Sequence, residues 1–472
     1  MSKEEKVSLL SVYRHLPQTN CGECGAPSCM VFASKLLNRE STLEDCPPLM
    51  KPKYKEQMAR LTEMLAPPIK EVIIGVGENA VKIGGKEVMY RHELTYHNLT
   101  AIAIDISDTM EDKKIVERCN AVESFILVRI GERLKLNMIA LRCTSKDPDR
   151  FAFVASLIEK SCKLPLILCS FDPNILKVTL EKKEIADKRP LLYAATEDNW
   201  KEMVNLSKQY DCPLTVFAPN NITLLKSMTR TLKATGIHDM VIDLGTYTEG
   251  KLLKENINNL VMLRRAAILR RDQDLGFPIM CIPATVWVGE KLDPVTTSYR
   301  EAYVASLFMD RYSDLLVMHT MDIWSLIPVL TLRQNIYTDP RKPVSVESGL
   351  RTIGSPDEKS PLLLTTNFAL TYYTVINDME SSGIDCYLLV VDTEGLAVEV
   401  SVAGGQFTSA NVKDLFSSVG IEEKVRHHKL IIPGLAARLK GDIEDATNWE
   451  VLVGPRDSSQ IKSYLAKNWT AR

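Results

Sequence analysis

Four of the chain's 11 cysteines lie within NCGECGAPSCMVFASKLLNRESTLEDC, which begins at Asn20. Cys21, Cys24, Cys29 and Cys46 have the spacing C-x2-C-x4-C-x16-C, three thiols from one loop and a fourth after a helical excursion. Thiolates grouped in this way ligate metal, and structural zinc usually takes two C-x2-C knuckles, of which the second is missing here. A cubane iron–sulfur cluster needs four thiolates around a larger core, commonly from a tight loop plus a more distant cysteine. Gly22, Gly25, Ala26 and Ser28 are small enough to let backbone N–H groups approach sulfur, and Pro47 and Pro48 follow the last ligand, as in the Cys-Pro ending of bacterial ferredoxin runs. These residues point to a [4Fe–4S] cluster, with zinc as the alternative. One cluster carries one electron at a time, so an acceptor is expected elsewhere in the chain or in a partner.

The other seven cysteines (Cys119, Cys143, Cys162, Cys169, Cys212, Cys281 and Cys386) stand singly among apolar residues and read as small core side chains. The middle of the chain has no H-E-x-x-H, no G-x-S-x-G elbow and no Walker loop. Its His238 and His319 are isolated and read as structural; Asp105, Asp243 and Glu197 at strand ends read as helix caps before catalytic acids. Toward the C-terminus, TTNFALTYY (365–373) ends an apolar run and opens a helix, with capping by Thr366 or Asn367 as the plain explanation. VVDTEGLAVEVSVAGGQFT (390–408), PGLAARLKG (433–441) and VGPRDSS (453–459) add small-residue turns where a flat ligand could pass close to backbone. Arg426, His427, His428 and Lys429 read as a solvated face, and D-x-H-x-x-G, the common cobalamin signature, is absent.

The elements that must hold these residues follow from periodicity. Residues 1–60 form a small α-rich module, and alternating apolar runs around Gly-rich turns in 61–98 predict a β-hairpin linker. From 99 to 332, eight short apolar runs alternate with amphipathic segments: TAIAIDI, NMIALRC, PLILCS, PLLYAAT, PLTVFAP, DMVIDLG, PIMCIPATVWV and DLLVMHT. This rhythm predicts an α/β fold with a central (β/α)8 TIM barrel, an open doubly wound sheet being the alternative. A proline-bearing stretch, 333–360, reads as a linker, and 361–472 as a separate α/β (Rossmann-like) domain with strands PLLLTTN, CYLLVVDT, LAVEVSVA, KLIIPG and WEVLVG.

At 472 residues, 45% hydrophobic and 25% charged, the chain can bury two or three cores. With 58 Lys and Arg against 60 Asp and Glu, and aromatics at 7%, neither a basic field nor a stacking surface recommends nucleic acid as a partner. There is no secretory h-region and no run of about 18 uncharged apolar residues, so a cytoplasmic location with no membrane partner is expected.

LPQTNCGECGAPSCMVFASKLL, LEDCPPL, APPIKEVIIGVGENAVKIGGKEVMYRHELTYHNLTAIAIDISD, RQNIYTDP, TTNFALTYY, DTEGLAVEVSVAGGQF and WEVLVGPRDSS together resemble, in order and nearly end to end, the large (gamma) subunit of corrinoid iron–sulfur proteins of the acetyl-CoA decarbonylase/synthase (Wood–Ljungdahl) system. The resemblance implies a methyl carrier, a methyltransferase-type component that depends on partner enzymes. A methyl group from a methyl-tetrahydrofolate or methyl-tetrahydropterin passes, through a methyltransferase, to a base-off cobalamin and on to the nickel–iron cluster of acetyl-CoA synthase. The [4Fe–4S] cluster rescues Co(II) to Co(I). It further implies iron ligation by Cys21, Cys24, Cys29 and Cys46, and corrinoid contacts from Thr365, Thr371, Gly395, Leu396, Ala397 and Val398, with Gly434 and Ser459 in later turns. Glu399 stands where a small or apolar neighbour of the corrinoid is expected. The implied partners are a small subunit forming a heterodimer, a pterin/folate methyltransferase, acetyl-CoA synthase/CO dehydrogenase and a low-potential electron donor or reductive activator. Three rival functions remain: an iron–sulfur electron-transfer subunit without a corrinoid, a zinc-bound assembly module, and a barrel that is itself a pterin-dependent methyltransferase.

Overall fold

The structure, a computed structural model, describes residues 8–288 and 293–469; residues 1–7 of the expected α-rich module lie outside this range. The chain forms two compact units. The first runs to Phe125 and resumes over Lys135–Tyr337, and the second comprises Ile126–Leu134 and the chain from Thr338 onward.

The first unit begins with helices Leu9–His15, Cys29–Leu37 and Lys55–Leu65 around their own apolar core, which includes Val12, Phe32, Leu36, Leu49 and Leu61. An antiparallel hairpin follows, β1 (Glu71–Ile74) with β2 (Val81–Gly84). Its Val72, Ile74 and Ile83 are buried among inward-facing residues of the barrel, including Ala101, Met138, Leu191 and Leu315 at the starts of strands. The hairpin therefore plugs the N-terminal end of the barrel. It does so at close range: a Cβ on Gly75 would meet Pro165 at 2.7 Å, just ahead of a barrel strand.

All eight expected barrel strands form: β3 (Ala101–Ser107), β6 (Met138–Arg142), β7 (Leu166–Cys169), β8 (Leu191–Ala195), β9 (Leu214–Phe217), β10 (Met240–Asp243), β11 (Met280–Cys281) and β12 (Leu315–Met318). Buried on both faces, they read as continuous apolar runs, as parallel strands do. Their order, β10-β9-β8-β7-β6-β3-β12-β11, is parallel throughout, and a parallel bridge between Ile242 and Ile279 joins the two ends. This corrects the open-sheet alternative. It also corrects the long strand expected over PIMCIPATVWV, where only two residues pair and Pro283–Val288 turns into a 3-10 helix. Pro283 has no N–H to give a ladder.

In the second unit, a hairpin of β4 (Ile126–Arg129) and β5 (Glu132–Lys135) was not foreseen; its Gly131 lies against Tyr373 so closely that a Cβ would meet the phenol oxygen at 2.0 Å. The main sheet contains β13 (Gly349–Ile353), β14 (Leu362–Thr366), β15 (Cys386–Val391), β16 (Lys429–Ile432) and β17 (Glu450–Val453), ordered β13-β15-β14-β16-β17. Four strands are parallel, and β13 is an antiparallel edge strand within the stretch read as linker. LAVEVSVA was read as a strand, but Val398–Gly404 is a helix whose buried Val398, Ser401 and Val402 recur at helical spacing. Burial against the sheet overrides the β preference of its three valines.

Closure of the barrel at the two-residue β11 depends on buried charge. The Asp314 carboxylate accepts from Lys86 Nζ at 2.7 Å, from the Ile279 N–H at 2.8 Å and from Arg264. Lys86, Arg264 and Asp314 side chains are 3%, 0% and 1% exposed. Burial alone would raise the Asp314 pKa, but the two cations outweigh it and hold the carboxyl below its usual range. Asp314→Ala strands two cations in the interior and is expected to lower unfolding stability by about 3–5 kcal/mol in denaturant titrations. By contrast, Arg60→Ala, which breaks an exposed pair with Glu56, should change it by less than ~1 kcal/mol.

Candidate functional site

Three constellations have chemistry: the cysteine head, the mouth of the barrel and a cleft in the second unit.

In the head, Cys29 begins its helix behind the N-cap Ser28, whose Oγ accepts the Val31 N–H at 3.3 Å, and the Asn20 side chain accepts the Cys29 N–H at 2.8 Å. Gly22 and Gly25 have φ of +77° and +71°, values that favour glycine, and the Gly25 N–H bonds the Gly22 carbonyl at 2.9 Å. Cys46 ends the 3-10 turn Leu43–Asp45. Cys21 is exposed, Cys24 half-buried, and Cys29 and Cys46 buried. Burial raises the Cys46 pKa, and the nearby Cys24, Cys29 and Cys21 add to the rise. The four thiols therefore face one neighbourhood.

At the barrel's carboxyl end, His319, read as isolated, is paired, while His238 is exposed. His319 Nδ1 meets Asp105 Oδ1 at 2.5 Å across 214 positions of sequence, and Arg142 Nε lies 3.2 Å from Asp105 Oδ2. Burial would raise the Asp105 pKa, but the His319 hydrogen bond and the charges of His319, Arg142 and Arg118 hold it low. Deeper in, Tyr193 Oη donates to Asp243 Oδ2 at 3.0 Å and the Gly245 N–H to Oδ1 at 2.7 Å. Neither aspartate caps a helix through its side chain. Glu197 is exposed and outside this group. Cys143 and Cys169, read as core, line the same cavity.

The cleft of the second unit lies at the carboxyl ends of β14, β16 and β17, where strand order reverses around β14; α/β sheets bind ligands at such a point. It has a volume of about 550 Å³ and is lined by Thr365, Thr371, Ala397 and Val398, with Pro433, Leu435 and Arg456. Leu370 and Val400 on its wall are 52% and 56% exposed. Thr365 is 1% exposed, yet its Oγ1 has no hydrogen-bond partner. Glu399 is exposed and also lines the cleft, so a carboxylate stands where a small or apolar residue was expected.

Gly395 and Leu396 do not line the cleft but form the turn behind it. The organiser is Asn367, which sequence reading treated only as a helix cap. Its Oδ1 accepts the N–H groups of Thr393 and Gly395 and the Thr393 hydroxyl, each at 3.0 Å, and its Nδ2 donates to Asp392 at 2.9 Å. The phrase TTN ahead of DTEG carried that signal only as a pair of polar segments far apart in sequence. Gly434 lies between two lining residues, and a Cβ there would come within 2.8 Å of the Gly454 carbonyl. The Ser459 hydroxyl is turned to Asp457 at 2.9 Å, and Ser458 takes its place in the lining. No histidine lines the cleft among the described residues; His427 is held between the Ser360 carbonyl at 2.9 Å and the Lys429 N–H at 3.1 Å.

A four-thiol head, a barrel and a mostly parallel-sheet unit with an open cleft define a modular class of protein. The chain belongs to the CO dehydrogenase/acetyl-CoA synthase delta subunit family, whose model matches residues 71–465. A family model for an Fe–S cluster segment matches residues 16–48. The acetyl-CoA decarbonylase/synthase complex subunit gamma of Archaeoglobus fulgidus is 51% identical over 98% of both chains. The corresponding subunit gamma 1 of Methanosarcina thermophila is 48% identical over 98% of both. The subunit gamma of Methanothermobacter thermautotrophicus is 47% identical over 98% of this chain and 99% of its own. No helix among the described residues is long and apolar enough to cross a membrane.

Burial pushes the Asp243 pKa up to about 7, against the partly offsetting Tyr193 and Gly245 hydrogen bonds. The unfolded chain releases this proton near pH 4. Between about pH 4 and 7 the folded state therefore binds more protons, and Asp243's contribution to stability falls as pH rises. Asp243→Asn removes the titration, so its melting temperature relative to the unmodified chain should climb between pH 5 and pH 8.

Proposed function

We propose that the chain is the gamma-type, corrinoid-carrying iron–sulfur subunit of an acetyl-CoA decarbonylase/synthase complex and serves as its methyl carrier. The observation that carries this reading is the buried, unpartnered Thr365 hydroxyl in an apolar cleft at the carboxyl ends of a mostly parallel sheet. A buried hydroxyl without a partner costs about 1–3 kcal/mol, a cost that an amide-rimmed macrocycle would remove. The exposed Leu370 and Val400 suit the apolar face of such a ring. The glycine at 434 supports the fit as well, because backbone comes close there and a side chain has no room.

The residues divide the work. Thr365 and Thr371 offer hydroxyls; Ala397 and Val398 give a flat wall; Asn367 fixes the turn that holds that wall in place. Arg456 is exposed at the lip, where it can meet an acidic substituent. With no histidine in the lining, this chain supplies no imidazole to the metal, in keeping with a base-off corrinoid. The cleft holds only part of a tetrapyrrole, so the remaining face is left to a partner, which the reading assigns to the small subunit. Cys21, Cys24, Cys29 and Cys46 would hold the [4Fe–4S] cluster. When bound, the corrinoid supplies the cobalt nucleophile that takes up and gives away a methyl group, and the cluster supplies the electron that restores oxidised cobalt. The methyl-pterin and acetyl-CoA synthase ends of the transfer belong to partner enzymes.

Three measurements test the reading. Metal analysis of the anaerobically prepared chain, co-expressed with its small subunit, should find cobalt alongside four irons per chain; iron and sulfide without cobalt would favour a plain electron-transfer subunit, and zinc an assembly module. Cys24→Ser should abolish reactivation of oxidised cobalt while leaving corrinoid content within about twofold, and loss of both together would contradict the division of labour. Thr365→Val should act with opposite signs in the two states. It stabilises the corrinoid-free chain by about 1 kcal/mol and weakens corrinoid retention several-fold.

A further inference from the structure

Of the cysteines outside the head, all read from sequence as core side chains, two meet. Cys119 belongs to the helix Asp112–Ser124, on the face that also buries Ile115 and Val122. Cys162 caps the end of the helix Pro148–Ser161, in extended backbone, with its N–H bonded to the Ile158 carbonyl at 3.0 Å. The two residues are 0% and 3% exposed, and their thiols are hydrogen-bonded to each other. A separate contact sets the same register between the two segments. Glu123, one helical turn beyond Cys119, accepts the N–H of Lys163, the residue after Cys162, at 2.9 Å. Positions four apart on a helix share a face, so the bond that brings Glu123 to Lys163 also brings Cys119 to Cys162.

The pair is chemically unequal. Cys162 is the acceptor: the Cys119 S–H and the Leu164 N–H both bond to its sulfur and favour its thiolate, which holds its pKa below the usual thiol range although burial opposes this. Cys119 is the donor, and that bond together with burial raises its pKa. A thiolate is the nucleophile of sulfur redox chemistry, and a thiol in contact with it can resolve the oxidised product. The other five scattered cysteines have neither feature. Burial raises the pKa of Cys143, Cys169, Cys212, Cys281 and Cys386, and none of them has a cysteine thiol as hydrogen-bond partner among the described residues. Cys162 is also next to the surface in sequence and in space, since Lys163 beside it is exposed.

We propose that Cys119 and Cys162 are a redox modification site, a dithiol that a hydroperoxide converts to a disulfide between the first two helices of the barrel. The Cys162 sulfur attacks one oxygen of hydrogen peroxide, the O–O bond breaks and hydroxide leaves, so that Cys162 becomes a sulfenic acid. The Cys119 sulfur then attacks Cys162: an S–S bond replaces the S–O bond, and the hydroxyl leaves with the Cys119 proton as water. Two thiols give up two electrons and two protons, and one peroxide becomes two waters. Contact between the sulfurs meets the first geometric requirement of the bond, that the two side chains point at one another. An added thiol reverses it by exchange. The site uses no residue of the head or of the second unit's cleft and is independent of the function proposed above.

Peptide mapping of the full-length chain, with its cofactors as isolated, tests it. The chain is treated with a small molar excess of hydrogen peroxide, remaining thiols are blocked, and the non-reduced digest is read by mass spectrometry, with iron counted in the same sample. A peptide joining Cys119 to Cys162, lighter by two hydrogens than its parts, should form in most chains before Cys143, Cys169, Cys212, Cys281 or Cys386 is modified, and should disappear with dithiothreitol. Single variants separate the roles. Cys119→Ala should leave at Cys162 a sulfenic acid that dimedone traps, whereas Cys162→Ala should slow oxidation of Cys119 at least about tenfold. Absence of the joined peptide from the unmodified chain, or its formation only after the other buried cysteines are oxidised, overturns the proposal. A dimedone adduct on Cys119 in Cys162→Ala, with none on Cys162 in Cys119→Ala, overturns the assignment of the attacking sulfur.

Discussion

One buried carboxylate determines whether the barrel is a barrel. β11 contributes only two paired residues and a single bridge spans to β10, so the ladder alone gives little at the seam. Asp314 makes up the difference by accepting the Ile279 N–H ahead of β11 while its own backbone carbonyl accepts the Ala101 N–H at 2.9 Å from β3. The same residue thereby links the seventh strand, the eighth and the first. Its two cations come from elsewhere: Arg264 from the helix Gly250–Arg264, and Lys86 from the segment after the plugging hairpin. Taking three charges out of water is expensive, and hydrophobic replacements of equal volume often match or exceed such clusters in stability. The cluster's contribution is therefore specificity: one register at the seam, and with it the convergence of Asp105, His319, Tyr193 and Asp243, which come from four different strands or their ends.

The two clefts of the chain follow one topological rule and differ in what fills it. Parallel strands all end on one side, where the loops diverge and leave a crevice. In the barrel the ring is closed, so polar groups from opposite strands meet and pair, as Asp105 does with His319 and Asp243 with Tyr193. In the second unit the sheet is open, so the residues at the strand ends have no opposite wall. There the unspent capacity is a threonine hydroxyl and a set of exposed aliphatic side chains.

How much of this the sequence carried depends on the range of the interaction. Eight barrel strands were legible because each is an uninterrupted apolar run, and the head was legible because its four sulfurs are local. Several misreadings share one cause, that the deciding partner is distant. LAVEVSVA alternates as a strand does, but the sheet beneath it buries Val398, Ser401 and Val402 together. His319 has no chemical neighbour in sequence and finds Asp105 only after the barrel closes. Asn367 passes for a cap until Thr393 and Gly395 arrive from the next strand. Thr365 and Val398 could be chosen from a resemblance, but the sequence does not reveal that the Thr365 hydroxyl goes unpaired.

The four-cysteine head meets the hairpin side of the barrel through partly solvated ion pairs. Its helices close a core of their own, separate from the barrel's. Arg39 reaches the hairpin side of the barrel, with Nη1 at 2.9 Å from Glu71 and Nε at 2.5 Å from Glu87. All three side chains keep between 23% and 31% exposure, so the pairs are partly solvated and contribute on the order of 1 kcal/mol each. This tether sits at the plugged end of the barrel, whereas the mouth opens at the other. A cluster held there has the length of the barrel between it and the Asp105–His319 pair, so the mouth is not its electron acceptor in this arrangement.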